Sequence, residues 1–221
     1  IGQHMANANT LRITEIFYSL QGEAKTAGIP TVFVRLTGCP LRCQYCDTEY
    51  AFEGGNVLEL EAIEEDIAKH NCKLVTVTGG EPLAQANCKK LLARLCDKGY
   101  EVSLETGGAM PISDIDERVS IVMDLKTPGS AECDRNDFDN IPLLKAIDQI
   151  KFVICDRADY EWSKAKLMQY DLSNRVEEVL FSPSFDELNT ADLASWVLQD
   201  HLPVRMQLQM HKQIWGNESG R

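Results

Sequence analysis

"TVFVRLTGCPLRCQYCDTEYAF" (31–52) joins two kinds of sequence without a break. Its first six residues are β-branched or apolar except for Arg35, as in a strand with little solvent around it. The rest places Cys39, Cys43 and Cys46 at C-x3-C-x2-C spacing, with no fourth cysteine nearby. A strand that runs into a loop of reactive side chains is what a parallel α/β sheet presents at the C-terminal ends of its strands. Alternation through "VFVRL" puts Arg35 on the face opposite Val34 and Leu36, inside the concave side of such a sheet.

The same pattern recurs along the chain. "KLVTVTGG" (73–80), "YEVSLETGG" (100–108), "SIVMDLKTPG" (120–129), "QIKFVICD" (149–156), "EEVLFSPS" (177–184) and "PVRMQLQMH" (203–211) are short runs that read as strands. Between them, 58–70, 83–99, 160–170 and 190–200 carry helical periodicity; in the second, Leu91, Leu92 and Leu95 share a face and Gly99 is the stop. Strands alternating with helices predict a mostly parallel α/β sheet with right-handed crossovers. A closed eight-stranded barrel takes about 250 residues. With 221 residues, the expectation is an incomplete TIM-type barrel with a curved sheet. The opening "IGQHM" (1–5) reads as an expression scar, and 6–221 as a single domain.

The chain carries 34 acidic against 22 basic residues, a net charge of −12. Such a surface repels phosphate backbones, which argues against nucleic acid and for a small-molecule substrate. No membrane-length apolar run or signal-peptide pattern is seen, so the expected location is the cytoplasm. In that reducing compartment, Cys72, Cys88, Cys96, Cys133 and Cys155 read as free thiols, and Cys88, Cys96 and Cys155 as small hydrophobes.

The clustered three require another account. A C-x-x-C dithiol of Cys43 and Cys46 leaves Cys39 unused. Zinc needs a fourth donor, and none of the four histidines lies near the loop. An iron–sulfur cluster on three thiolates leaves one iron open to a substrate or cofactor, and the spacing favours this over zinc.

With Tyr45 before the last cysteine and "TGGEP" (78–82) downstream, the motif resembles the radical S-adenosylmethionine superfamily. The resemblance implies a [4Fe–4S] cluster whose open iron is chelated by S-adenosylmethionine. Transfer of one electron then cleaves that cofactor to methionine and a 5′-deoxyadenosyl radical, so no side chain is expected to act as the catalyst itself. "ITEIFYSLQGEAKTAGIPTVFVRLTGCPLRCQYCDTEYAF" (13–52) is similar, more narrowly, to the 7-carboxy-7-deazaguanine synthase family. The likeness extends through "ETGG", "DLK" and "FSPS" to "LQMHK". It implies a lyase that turns 6-carboxy-5,6,7,8-tetrahydropterin into 7-carboxy-7-deazaguanine with loss of ammonia, in queuosine-type 7-deazapurine biosynthesis. Mg²⁺, a flavodoxin-like or other low-potential electron donor, and a homodimer are implied with it.

Matched residue by residue, the resemblance assigns Leu20, Gln21, Gly22, Glu23, Arg35, Thr78 and His211 to the substrate and Thr48 to Mg²⁺. It assigns Tyr45, Gly80, Glu81, Glu105, Thr106, Asp124, Leu125, Lys126 and Ser182 to S-adenosylmethionine. Glu81 is expected to accept from the cofactor ammonium. Asp124 stands where some relatives have serine, and the ending "HKQIWGNESGR" departs from relatives that stop sooner. The alternatives are a glycyl-radical-activating enzyme, which shares the spacing, and a zinc-bearing interaction domain.

Replacing Cys39, Cys43 or Cys46 with alanine is expected to abolish bound iron and activity, while alanine at Cys72, Cys88 or Cys96 leaves iron per chain unchanged. Iron and sulfide analysis of the reconstituted variants checks this. Full iron in Cys43→Ala would end the cluster reading.

Overall fold

A computed structural model describes residues 9–216, 218 and 220; the 1–5 scar lies outside the described residues. The strands are β1 (Thr10–Leu20), β2 (Pro30–Leu36), β3 (Asn56–Glu59), β4 (Leu74–Gly79), β5 (Glu101–Thr106), β6 (Ser120–Asp124), β7 (Gln149–Ile154), β8 (Glu178–Pro183) and β9 (Arg205–Met206). The helices are α1 (Leu60–Ala68), α2 (Cys88–Asp97), α3 (Arg157–Gln169), α4 (Leu172–Arg175), α5 (Thr190–Gln199) and α6 (Met210–Trp215).

The strands form one sheet in the order β3-β1-β2-β4-β5-β6-β7-β8-β9. Every pairing from β2 to β9 is parallel, and β1 pairs antiparallel with both β2 and β3. Because β3 and β9 do not pair, the sheet stays open, as expected of an incomplete barrel.

Alternation sorts the two faces. Val34 and Leu36 of β2, Val77 of β4, Leu104 of β5, Met123 of β6 and Phe152 of β7 join one hydrophobic core with Ile63 of α1 and Leu91 and Leu95 of α2. The opposite phase of the same strands carries Arg35, Thr78, Glu105, Asp124 and Lys151, all facing one cleft. Helix termini follow local chemistry. Asp156 caps α3 by accepting from the Asp159 amide, Asn189 caps α5 by accepting from the Ala191 amide, and Gly99, at φ +83°, ends the turn after α2.

Four features depart from the sequence expectation. β1 was not anticipated. Its register against β2 shifts between Ile13 and Glu15, and that irregularity breaks the two-residue alternation by which a strand is recognised. Leu58 and Glu59 close β3 rather than open a helix. The stretch 83–99 becomes a short 3-10 turn (Pro82–Ala84) and then α2. In 203–211 only Arg205–Met206 is strand, and Met210 and His211 begin α6.

Phe152 is fully buried, with Phe181 and Trp162 edge-on at ring-centroid distances of 5.5 and 6.2 Å. Phe152→Ala is expected to lower unfolding free energy by about 3–5 kcal/mol through lost transfer energy and the cavity left behind. Denaturant unfolding of parent and variant measures it.

Candidate active site

The cysteine loop lies on the C-terminal end of β2 and is fixed mostly by main-chain contacts. Gly38, at φ +98°, turns the chain, and its amide donates to Ala51 O at 2.8 Å. Gln44 N donates to Ser130 O at 3.0 Å, and Arg42 N to the Glu132 carboxylate at 2.5 Å, tying the loop to the segment after β6. The Arg42 guanidinium bonds Cys39 O and Leu41 O, each at 2.7 Å, and sits 4.2 Å from the Phe52 ring centroid.

Against this loop lies "TGGEP". A Cβ on Gly80 would come within 2.4 Å of Gly38 O and 2.6 Å of Cys39 Cβ, and one on Gly79 within 2.5 Å of Leu36 O. Only glycine permits that approach, so the two motifs seen separately in the sequence form one packed unit.

Cys39, Cys43 and Cys46 all line a cleft of about 600 Å³. Burial pushes all three thiols up, Cys43 to about 11, so metal binding must displace their protons. Among the described residues, no three Cys, His, Asp or Glu side chains already converge as a ligand set for one metal ion.

The floor of the cleft is a charged network. Gln21 donates through Nε2 to Thr76 Oγ1 and to Glu105 Oε1, both at 3.2 Å, while its Oε1 accepts from Glu23 N at 3.2 Å. Thr78 Oγ1 donates to Glu105 Oε2 at 3.0 Å. Burial, then the Glu23 charge, raises the Glu105 carboxyl. Lys151 Nζ lies 2.9 Å from Glu23 Oε2 and 3.4 Å from Asp124 Oδ2, and Lys126 Nζ lies 3.0 Å from the same Asp124 oxygen. Glu23 Oε1, Asp124 Oδ1 and Tyr45 OH are buried without a hydrogen-bond partner. Unmet polar atoms in a cleft wall fit ligands that bring donors and acceptors.

Also on the cleft wall, Arg35 Nε donates to Glu15 Oε1 at 2.7 Å, and Tyr50 OH donates to the same oxygen at 2.7 Å. The guanidinium carbon is 5.7 Å from the ring centroids of both Phe17 and Tyr50. Thr48 Oγ1 donates to Asp47 Oδ1 at 2.8 Å and makes no helix-capping bond. Asp47 in turn meets Lys212 Nζ at 2.9 Å. Desolvation opposes its ionisation, yet the Lys212 ammonium holds the carboxyl down at about 2. α6 is docked by Met210 N donating to Gly22 O at 3.0 Å. His211 packs so closely on Gly22 that a Cβ there would sit 2.1 Å from Nδ1.

Of the residues matched from sequence, Leu20, Gln21, Gly22, Glu23, Arg35, Tyr45, Thr48, Thr78, Gly80, Glu105, Thr106, Asp124, Lys126 and His211 line this cleft together with the three cysteines. Three do not. Glu81 is turned into the scaffold: its carboxylate accepts from Leu83 N at 3.0 Å, Gly107 N at 2.7 Å and Thr106 Oγ1 at 2.9 Å. Each Glu81 oxygen thus already accepts from the scaffold. Leu125 falls on the phase between Asp124 and Lys126 and is fully buried in the core. Ser182 is buried one strand step short of the rim, where Ser184 lines the cleft instead. Arg35 also differs from expectation, since Glu15 already supplies an anion. Lys151, Asp47, Lys212 and Glu187 were missed. The available sign for Lys151 was a lysine inside the apolar run "QIKFVICD", in phase with Val153 rather than with Phe152.

A C-x3-C-x2-C loop after one strand, packed on a glycine-rich strand end in an open parallel sheet, defines a radical S-adenosylmethionine enzyme. Residues 33–147 match the Radical SAM superfamily, so the chain works with a [4Fe–4S] cluster and S-adenosylmethionine. It is 42% identical over 223 residues to 7-carboxy-7-deazaguanine synthase of Koribacter versatilis, covering 95% of this chain and 99% of the relative. To the synthase of Chlorobaculum tepidum it is 41% identical over 218 residues, covering 97% and 99%. The chain belongs to the 7-carboxy-7-deazaguanine synthase family. Its fold is similar to the crystal structure of QueE from Escherichia coli, with a TM-score of 0.74 at 21% identity over 91% of this chain and 95% of that one. No described helix is long and apolar enough to cross a membrane.

Gly80→Ala is expected to push the cysteine loop off the β4 end and cut iron per chain at least about threefold, since a Cβ at 2.4 Å from backbone cannot be absorbed by a rotamer change. Circular dichroism should stay that of the parent. Parental iron in Gly80→Ala would show that the two motifs are not packed in this way.

Proposed function

We propose that this chain converts 6-carboxy-5,6,7,8-tetrahydropterin to 7-carboxy-7-deazaguanine with release of ammonia, as a step in queuosine-type 7-deazapurine biosynthesis. One observation carries the reading: the cysteine loop, the "LQGE" loop, Arg35 and Thr48 all line a single cleft. When bound, the cluster and S-adenosylmethionine supply the radical that opens the reaction.

The protein's own residues bind and orient. Arg35 is held by Glu15 through Nε, and the rest of its planar fork suits a substrate carboxylate. Such charge-assisted pairs are worth on the order of 2–5 kcal/mol when desolvated. Gln21, Glu23, Glu105 and Thr78 form an interlinked set of acceptors and donors matched to a pterin edge. His211, wedged on Gly22, closes that side. Tyr45, Gly80, Thr106, Asp124 and Lys126 form the half suited to S-adenosylmethionine.

Thr48 is assigned to Mg²⁺. Its hydroxyl caps no backbone group, its proton goes to Asp47, and its oxygen lone pairs remain for a hard cation that takes few protein ligands. The single domain 6–221 acts in the cytoplasm as a homodimer, reduced by a flavodoxin-like or other low-potential donor. A glycyl-radical activase would have to admit a protein loop, and the carboxylate-lined floor favours a small ligand with N–H donors instead. A zinc module would leave the match of residues 33–147 to the Radical SAM superfamily without an account.

Anaerobic incubation with reductant, S-adenosylmethionine and the carboxypterin is expected to yield the deazapurine by mass; its absence from cluster-replete protein would sink the reading. Omitting Mg²⁺ and substituting Thr48→Val should each lower turnover at least about tenfold, with the iron–sulfur spectrum intact, because hydrogen-atom transfer depends steeply on substrate position. Lost iron in Thr48→Val, with Mg²⁺ activation preserved, would instead make Thr48 a loop anchor.

A further inference from the structure

A lysine in the middle of a buried parallel strand is costly unless something compensates its charge. Lys151 sits on β7 beside Asp124 of β6 and Leu180 of β8, with a side chain 13% exposed. Its ammonium touches two carboxylates from different parts of the chain. Glu23 Oε2, on the loop after β1, is at 2.9 Å, and Asp124 Oδ2, at the end of β6, is at 3.4 Å. Burial works against the lysine charge, but Glu23, Asp124 and Glu105 more than offset it and hold the group above the ordinary lysine range. The ammonium is therefore a fixed positive charge.

The two carboxylates it touches share a second property. Each keeps its other oxygen, Glu23 Oε1 and Asp124 Oδ1, buried without a partner. In each case Lys151 occupies one oxygen and leaves its mate free. The two are not equally dependent on it. Asp124 has a second cation in Lys126 at 3.0 Å, whereas Lys151 is the cation that Glu23 meets among the described residues.

We propose that Lys151 is a positioning residue for substrate: by pinning Glu23 Oε2 it turns Glu23 Oε1 toward the ring N–H groups of the pterin. This rests on the carboxypterin reading above. Without the ammonium, Glu23 would face Glu105 and Asp124 as an unpaired like charge and would swing away, losing its place as an acceptor. The Asp124 side, still paired with Lys126, would keep its geometry.

The test is Lys151→Met in the cluster-reconstituted enzyme, with three readouts: iron per chain, S-adenosylmethionine affinity, and KM for 6-carboxytetrahydropterin. The expected result is a KM raised at least about tenfold, with iron unchanged and cofactor affinity within about threefold of the parent. Lys151→Arg, which restores the charge on a wider head, should recover part of the loss. Should Lys151→Met fail to fold, Lys151→Arg alone must still raise KM at parental iron content, and a parental KM in that variant overturns the proposal. So does a KM within about twofold of the parent in folded Lys151→Met, and so does an equal fall in substrate and cofactor affinity, which would make Lys151 a general strut. A parent enzyme that does not turn over the carboxypterin defeats the functional reading and this proposal together; a working parent with an unaffected Lys151→Met defeats this proposal alone.

Discussion

The site depends on a contact between two backbones. Where β4 ends, Gly79 and Gly80 press against Leu36 O, Gly38 O and Cys39 Cβ, and Glu81 N donates to Gly38 O at 2.9 Å. No side chain fits between them. Glu81 then carries the connection sideways, accepting from Thr106 and Gly107 at the end of β5. Three neighbouring strand ends are thereby locked into one rigid rim, and the cysteine loop is held on it. A loop that must offer three thiolates in a fixed relation gains from such support, because the backbone that carries each cysteine is set by packing before any metal arrives.

Charge does the corresponding job on the floor of the cleft. Glu23, Glu105 and Asp124 face Lys126 and Lys151, leaving acceptors in excess over cations. Like charges brought this close in a poorly solvated space repel one another, and the two lysines offset that repulsion for the carboxylates they touch. Glu105, which accepts from Thr78 and Gln21 and makes no ion pair with either lysine, has its carboxyl raised by burial and then by the Glu23 charge. The deep charges thus divide by partner: Glu23 and Asp124 rest on ammonium groups, whereas Glu105 is served by neutral donors.

How much of this was legible follows from the kind of interaction involved. The parallel strands could be read because burial on both faces leaves continuous apolar runs, and the concave face at Arg35, which interrupts its run on the phase opposite Val34 and Leu36. β1 could not, because its irregular register destroys the alternation that marks a strand. α6 escaped for a different reason. It is held by Met210 N on Gly22 O and by Lys212 on Asp47, contacts to residues in the first quarter of the chain, and local pattern carries no trace of them. Lys151 was visible as an anomaly, but its partners Glu23 and Asp124 come together only through the sheet order.

Glu81 and Glu23 show where motif matching stops and structure takes over. Both are acidic residues in glycine-containing motifs, and sequence assigns both to ligands. In the folded chain their chemistry diverges. Glu81 has both oxygens satisfied by amides and a hydroxyl, and replacing those donors with a ligand would break the rim it holds together. Glu23 has one oxygen on a lysine and the other buried with no donor, a deficit of about 1–3 kcal/mol that a ligand N–H can remove. A carboxylate already satisfied by the scaffold has little to gain from a ligand. One held half-satisfied by its neighbours has its binding direction chosen for it, and here that direction is set from β7.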